Sequence, residues 1–189
     1  NITGGWTPAS IFASGEGGSV LDISVIGSLF QDVAGTIPVT SDLDPVALVV
    51  DQSGNGMNAT QSDNAKRPIY RRNGGKPYLQ MSGAQWLEYP VGAMNFANLS
   101  AHILAQNYVS RTVIFSAPQA LGSHPSPYYR WCLYHNYGTE FYNRINGAVI
   151  TYNVADIKTT PKHLGLDTVA GSFYTNNVSV GTFTPQAIT

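Results

Sequence analysis

Short runs of alternating or continuous apolar residues, broken every few positions by glycine, proline or asparagine, dominate the pattern of this 189-residue chain. Such a rhythm predicts about a dozen short strands joined by tight turns, with little helix. The best helical spacing covers residues 24–31, where Ile26, Leu29 and Phe30 follow i, i+3, i+4, and Gly27 limits it to barely two turns. Pro45 leads into Val46-Ala47-Leu48-Val49-Val50, a continuous aliphatic run that predicts a strand buried on both faces, ended by the turn Gly54-Asn55-Gly56. Residues 69–72 and 78–81 read as a hairpin around Asn73-Gly74-Gly75, and residues 86–89 as a further strand.

Residues 92–107 are less periodic, 111–115 are rich in β-branched side chains up to a stop at Pro118, and 119–127 form a long loop holding Pro125 and Pro127. Residues 129–135, 140–145 and 148–154 predict a meander, with Asn146-Gly147 as its strongest hairpin signal. A last pair, 172–175 and 178–183, is joined at Asn176-Asn177. The expected fold is all-β: two antiparallel sheets packed as a sandwich, with at most one or two short helical turns. No repeat or linker interrupts the chain, so a single domain over residues 1–189 is expected.

Composition narrows the partners. Ten basic and eleven acidic residues leave a net charge of -1, which supplies no field for nucleic acid or an anionic membrane. Membrane insertion is not expected either, because the run at residues 46–50 falls far short of the ~18 apolar residues of a span. One local cluster, Lys66, Arg67, Arg71 and Arg72, reads as a solvated strand face, with an anion or acidic-sugar contact as the sharper alternative. Cys132 stands alone, so there is no disulfide framework, and a small buried hydrophobe is its expected role.

An ordered series of blocks carries a resemblance. Ile11-Phe12-Ala13-Ser14-Gly15-Glu16-Gly17-Gly18 is followed by Leu29-Phe30-Gln31-Asp32-Val33-Ala34-Gly35-Thr36-Ile37-Pro38-Val39-Thr40. Then come the stretch from Asp44 through Asp51-Gln52-Ser53-Gly54-Asn55-Gly56 to Gln61, the pair Arg67-Pro68, and Tyr78-Leu79-Gln80-Met81-Ser82-Gly83. Over the first half of the chain this resembles the concanavalin A-like (laminin-G/pentraxin-like) modules of bacteriophage tail and virion proteins; the second half matches in hairpin rhythm. One departure is Ser19-Val20-Leu21-Asp22-Ile23-Ser24-Val25, where the family carries an aromatic-Asp-Pro turn.

The resemblance implies a jelly-roll sandwich at the virion surface, outside the cell, that binds a host surface glycan. Its partners would be other virion proteins or copies of itself. Family members run on past a hairpin like that at residues 174–182 into closing strands. Together with a first residue of Asn1, this makes the expected chain a piece of a longer one, its sandwich completed by further residues or by a neighbour.

Glycan hydrolysis on this fold needs two carboxylates sharing a strand face at i, i+2. Glu16, Glu88 and Glu140 have no acidic residue two positions away, and the one such pair, Asp42 and Asp44, lies in a turn expected to be a solvated loop or a metal contact. No Gly-x-Ser-x-Gly elbow accompanies His102, His124, His135 or His163, which are expected in structural or surface roles. The expectation is therefore a non-catalytic chain, with a structural decoration or assembly module as one rival and a polysaccharide depolymerase as another.

No cofactor is required by this reading. Asp51, Ser53 and Asn55 match the first half of a calcium loop, but its twelfth position is Ser62 where a glutamate is needed, so turn stabilisation and a shallow calcium site both stand as readings. Ligand recognition falls on the aromatic stretch around residues 128–143. The candidates are Trp131, Tyr137, Tyr128, His135, Arg130 and Asn136, because aromatic faces stack on sugar rings while amides and guanidinium groups bond their hydroxyls. Alternation divides the stretch, so at least half of its aromatics are expected to be core.

Overall fold

A computed structural model of the chain describes residues 7–72, 76–82, 84–90, 100–105, 112–118, 129–135, 140–145, 148–153, 162–167, 172–176 and 178–182. These residues are sheet-rich, all sheets are antiparallel, and the only helical segments are 3₁₀ turns. The chain falls into two compact units, Asn1–Met94 and Asn95–Thr189.

In the first unit the aliphatic run at residues 46–50 becomes the centre of the structure, as its pattern predicts. Strand β1 (Leu29–Phe30), β2 (Leu48–Val49) and β3 (Ala59–Thr60) form a sheet in that order, so β2 is flanked on both sides. Val46, Ala47 and Val49 are fully buried. Leu29, Val39, Val46, Val49 and Tyr70 make the core cluster, with Leu21, Ile23, Ile26, Leu79 and Leu87 packed around it. The predicted hairpin forms as β4 (Ile69–Arg71) and β5 (Tyr78–Gln80), pairing Ile69 with Gln80 and Arg71 with Tyr78.

The helix expected at residues 24–31 does not form. Only Ile26–Ser28 makes a 3₁₀ turn, and the chain then extends into β1. Leu29 and Phe30 spend their carbonyls on distant partners, accepting from Val39 N–H at 2.9 Å and Ala47 N–H at 2.8 Å, which a helix would have kept for itself. Two further 3₁₀ turns, Pro8–Phe12 and Asn64–Lys66, bring the described total to three, against the one or two expected. Residues 86–89 contribute only a bridge, Glu88 opposite Thr60.

The second unit holds two four-stranded sheets. One has the order β10-β9-β8-β7, from β7 (Thr112–Pro118), β8 (Tyr129–His135), β9 (Glu140–Ile145) and β10 (Ala148–Asn153). The other has the order β13-β12-β11-β6, from β6 (Ser100–Ala105), β11 (Lys162–Asp167), β12 (Ser172–Thr175) and β13 (Val178–Thr182). The meander and the last pair thus stand where periodicity puts them, whereas β6 and β11 lie in stretches whose patterns gave no strand. Leu164 of β11 is buried. Asn176, at φ 50°, turns β12 into β13 and ties that turn to β11, its N–H donating to the His163 carbonyl and its Oδ1 accepting from His163 N–H.

Among the described residues no helix is long and apolar enough to cross a membrane.

Candidate functional site

Two places carry the candidates: the turn after β2, and the sheet around β8. At the turn, Gly54 and Gly56 adopt φ of 89° and 71°, a conformation that side chains disfavour, and this folds residues 51–58 back on themselves. Asp51 sits inside the fold-back at 7% exposure. Its Oδ1 accepts from Val20 N–H at 2.9 Å and Ser53 N–H at 2.8 Å, and its Oδ2 accepts from the Ser53 hydroxyl at 2.6 Å and Met57 N–H at 3.0 Å. Asp51 N–H in turn donates to Asn58 Oδ1. Ser53 Oγ accepts from Asn55 N–H, while Asn55 Nδ2 donates to the carbonyls of Gly18 and Glu16.

Asp51, Ser53 and Asn55 therefore come together, but as an interlocked turn. Calcium needs oxygens converging on one point, whereas four N–H and O–H donors already converge on the carboxylate. In this arrangement the three residues do not offer a cation its ligands, and among the described residues no group of three or more His, Cys, Asp or Glu side chains could hold a metal ion. Burial works to raise the Asp51 carboxyl; the bonds from Ser53, Val20 and Met57 outweigh it and hold the group below its ordinary value. Nearby, burial pushes the Tyr89 phenol up, with a smaller push from Asp51 and a bond with Ser19 working against them.

Residues 19 and 20 are bound into this turn. Val20 N–H reaches Asp51, and Ser19 Oγ donates to the Met57 carbonyl.

Neither the acidic pair nor the basic cluster forms a common site. Asp42 accepts from Arg72 N–H at 2.6 Å and Arg71 Nε at 3.3 Å, and Asp44 accepts from the N–H groups of Thr40 and Ser41. Arg67 is a staple: its guanidinium donates to the carbonyls of Gln31, Gln61 and Ser62. Lys66 pairs with Asp63 at 3.4 Å and lies 4.6 Å from the centre of the Trp86 ring.

Around β8 the register decides which residues share a face, because residues directly opposite one another in antiparallel strands project to the same side. Trp131, Leu133 and His135 stand opposite Ile145, Asn143 and Phe141 of β9, which stand opposite Ala148, Ile150 and Tyr152 of β10. Cys132 and Tyr134 stand opposite Arg144 and Tyr142, and these opposite Val149 and Thr151. Alternation places Arg130 on the face of Cys132 and Tyr134.

Of the six ligand candidates, Trp131 and His135 therefore fall on one face and Arg130 on the other. Tyr128, Asn136 and Tyr137 lie outside the described residues, as do the 119–127 loop and the Asn146-Gly147 turn. The register also brings Arg144 and Glu140 onto the Arg130 face, two residues that the sequence gave no reason to join to the aromatic set. Part of that signal was available, since a two-residue turn at Asn146-Gly147 dictates Ile145 opposite Ala148. Comparison of the chain with protein-family models, curated proteins and solved structures gave no match.

Proposed function

We propose that the chain is a non-catalytic module of a phage tail or virion, built as a two-sheet sandwich of the concanavalin A-like kind, that binds a glycan on the host surface. The ordered blocks between Ile11 and Gly83 support the family, and the antiparallel all-β content agrees with it. The observation that carries the glycan reading is that β8 is an interior strand. Its Tyr134 and His135 stand opposite Tyr142 and Phe141 of β9, and Arg130 and Trp131 lie on the same strand, so aromatic and hydrogen-bonding residues crowd one sheet. Incubating the chain with an array of bacterial surface glycans should give saturable binding without release of reducing ends. A flat array would remove the reading, and released reducing ends would replace it with a depolymerase.

A second reading, a virion assembly module, draws on β6. Among the described residues this six-residue strand ends its sheet, and it pairs with β11 without any register shift, a regular edge to which a neighbouring chain could add a strand. Sedimentation of the chain separates the two: a stable monomer disfavours assembly through that edge.

A further inference from the structure

Asn-Gly pairs occur in the chain at residues 55–56, 73–74 and 146–147, and the first of them lies among the described residues. Asparagine before glycine is especially open to spontaneous deamidation, because no side chain shields the glycine nitrogen from the asparagine amide carbon. Asn55 and Gly56 are both exposed, and among the described residues no atom lies within 4 Å of the place a Gly56 Cβ would take. Access is therefore open, and what opposes the reaction is the bonding of the amide itself. Asn55 Nδ2 donates to the Gly18 carbonyl at 2.9 Å and to the Glu16 carbonyl at 3.2 Å. The backbone on each side is clamped as well. Asn55 N–H donates to Ser53 Oγ at 3.1 Å, Met57 N–H to Asp51 Oδ2 at 3.0 Å, and Asn58 N–H to the Gly56 carbonyl at 3.0 Å.

The same amide is a fastener. Among the described residues, its bond to Glu16 is the one hydrogen bond that joins residues 7–17 to the rest of the first unit. The others in that segment, Ser10 with Thr7, Gly15 with Phe12 and Ser14 with Glu16, are internal to it. Gly18 has a second donor in the Ser53 hydroxyl at 3.1 Å, so the segment is hinged there. We propose that Asn55 is a latent deamidation site, protected while its amide grips Gly18 and Glu16, and that its conversion unfastens residues 7–17.

In the reaction, the Gly56 nitrogen gives up its proton to solvent base and bonds to Asn55 Cγ. The Cγ–Nδ2 bond breaks, and the amine takes up a proton and leaves as ammonia. Water then opens the cyclic imide at one carbonyl or the other, leaving aspartate or isoaspartate at residue 55. Attack needs the two reacting atoms about 3–3.5 Å apart and aligned, which a side chain pinned to residues 16 and 18 does not reach without letting go. Either product has an oxygen where the Nδ2 donor stood, and a carboxylate oxygen cannot donate to the Glu16 and Gly18 carbonyls.

The test holds the full chain at mildly alkaline pH, once folded and once in guanidinium chloride, and follows each site by peptide mass spectrometry. Asn55 should convert at least about tenfold more slowly in the folded chain than in the unfolded one, and equal rates would overturn the protection. Fastening is read with a glutamate-specific protease, whose scissile carbonyl at Glu16 is one that Asn55 holds. Asn55→Asp and the uncharged Asn55→Ala should both be cut after Glu16 about tenfold faster than the wild-type chain, since cleavage follows the population of the open segment. The Asp51 bonds do not use the Asn55 side chain, so the turn itself stays closed in both variants. An Asn55→Ala chain cut after Glu16 at the wild-type rate would overturn the fastening, whether or not Asn55→Asp folds.

Discussion

Asp51 collects four donors on two oxygens from residues as far as 31 positions away, and it does so almost out of contact with water. Removing the carboxylate strands buried N–H groups that have no other partner, so Asp51→Ala is expected to cost about 2–4 kcal/mol in urea unfolding. Asp51→Asn should cost less, since the amide keeps one acceptor oxygen. The same geometry predicts that millimolar calcium leaves the melting temperature of the wild-type chain unchanged.

The acid response follows from three carboxyls, Asp32, Asp42 and Asp51, all held below the ordinary value of 3.8. For Asp32 the leading cause is the Thr36 hydroxyl, and for Asp42 it is the Arg72 N–H. A depressed folded-state value means that the stabilisation is fully present above 3.8 and is lost as pH falls through the lower folded values. The urea midpoint should therefore drop on acidification below 3.8, and Asp51→Asn should flatten part of that drop. Tyr70 gives the opposite kind of prediction. It is 1% exposed and its hydroxyl has no hydrogen-bond partner among the described residues, so Tyr70→Phe should keep or raise stability, by up to about 1 kcal/mol, in the same assay.

At the scale of elements, short strands in the first unit are held as much by side-chain staples as by ladders. The β1-β2-β3 sheet pairs only two residues per strand, and Arg67 ties its surroundings together by spanning the carbonyls of Gln31, Gln61 and Ser62. Lysine keeps the charge but loses the planar fork, so Arg67→Lys is expected to cost about 1–2 kcal/mol, nearly as much as Arg67→Ala. Chemical denaturation of both variants compares them directly.

Legibility also varied by element. β8 and β9 were readable to the residue because aromatic residues crowd them between turn signals. β11 was not, since Gly165 interrupts a short Leu164, Leu166 alternation that is too brief to rise above its polar neighbours. The stretch 24–31 has helical spacing of apolar groups, but the same Leu29 that fits a helix face is fully buried in a strand. Periodicity identifies which groups are buried; over eight residues it does not choose the backbone that buries them.

For the whole molecule, balanced charge leaves recognition to local groups. With ten basic and eleven acidic residues interleaved, no long-range field steers a ligand, so any selectivity has to come from local groups. Several of the cations are occupied: Lys66 with Asp63, Arg71 with Asp42, Arg67 with backbone carbonyls. Accordingly, double-stranded DNA at 150 mM salt is expected to leave the chain's mobility in a native gel unchanged, whereas nucleic-acid binders of this size depend on a basic patch.

The sequence by itself determined the all-β character, the buried aliphatic run around the two-residue strand β2, the hairpin at residues 69–81 and the glycine turn at residues 54–56. Each of these is written in neighbouring residues, as apolar runs, alternation or a required positive φ. Only the tertiary structure decided that Asp51 closes on Val20, that Arg67 reaches Gln31, and that Tyr134 faces Tyr142 with Arg144 beside them. Those pairings join segments that are separate in the chain, and the choice among registers is made by the burial and hydrogen bonding of both partners at once. Alternation told Trp131 from Arg130 as members of opposite faces; it took the partner strands to give each face its chemistry.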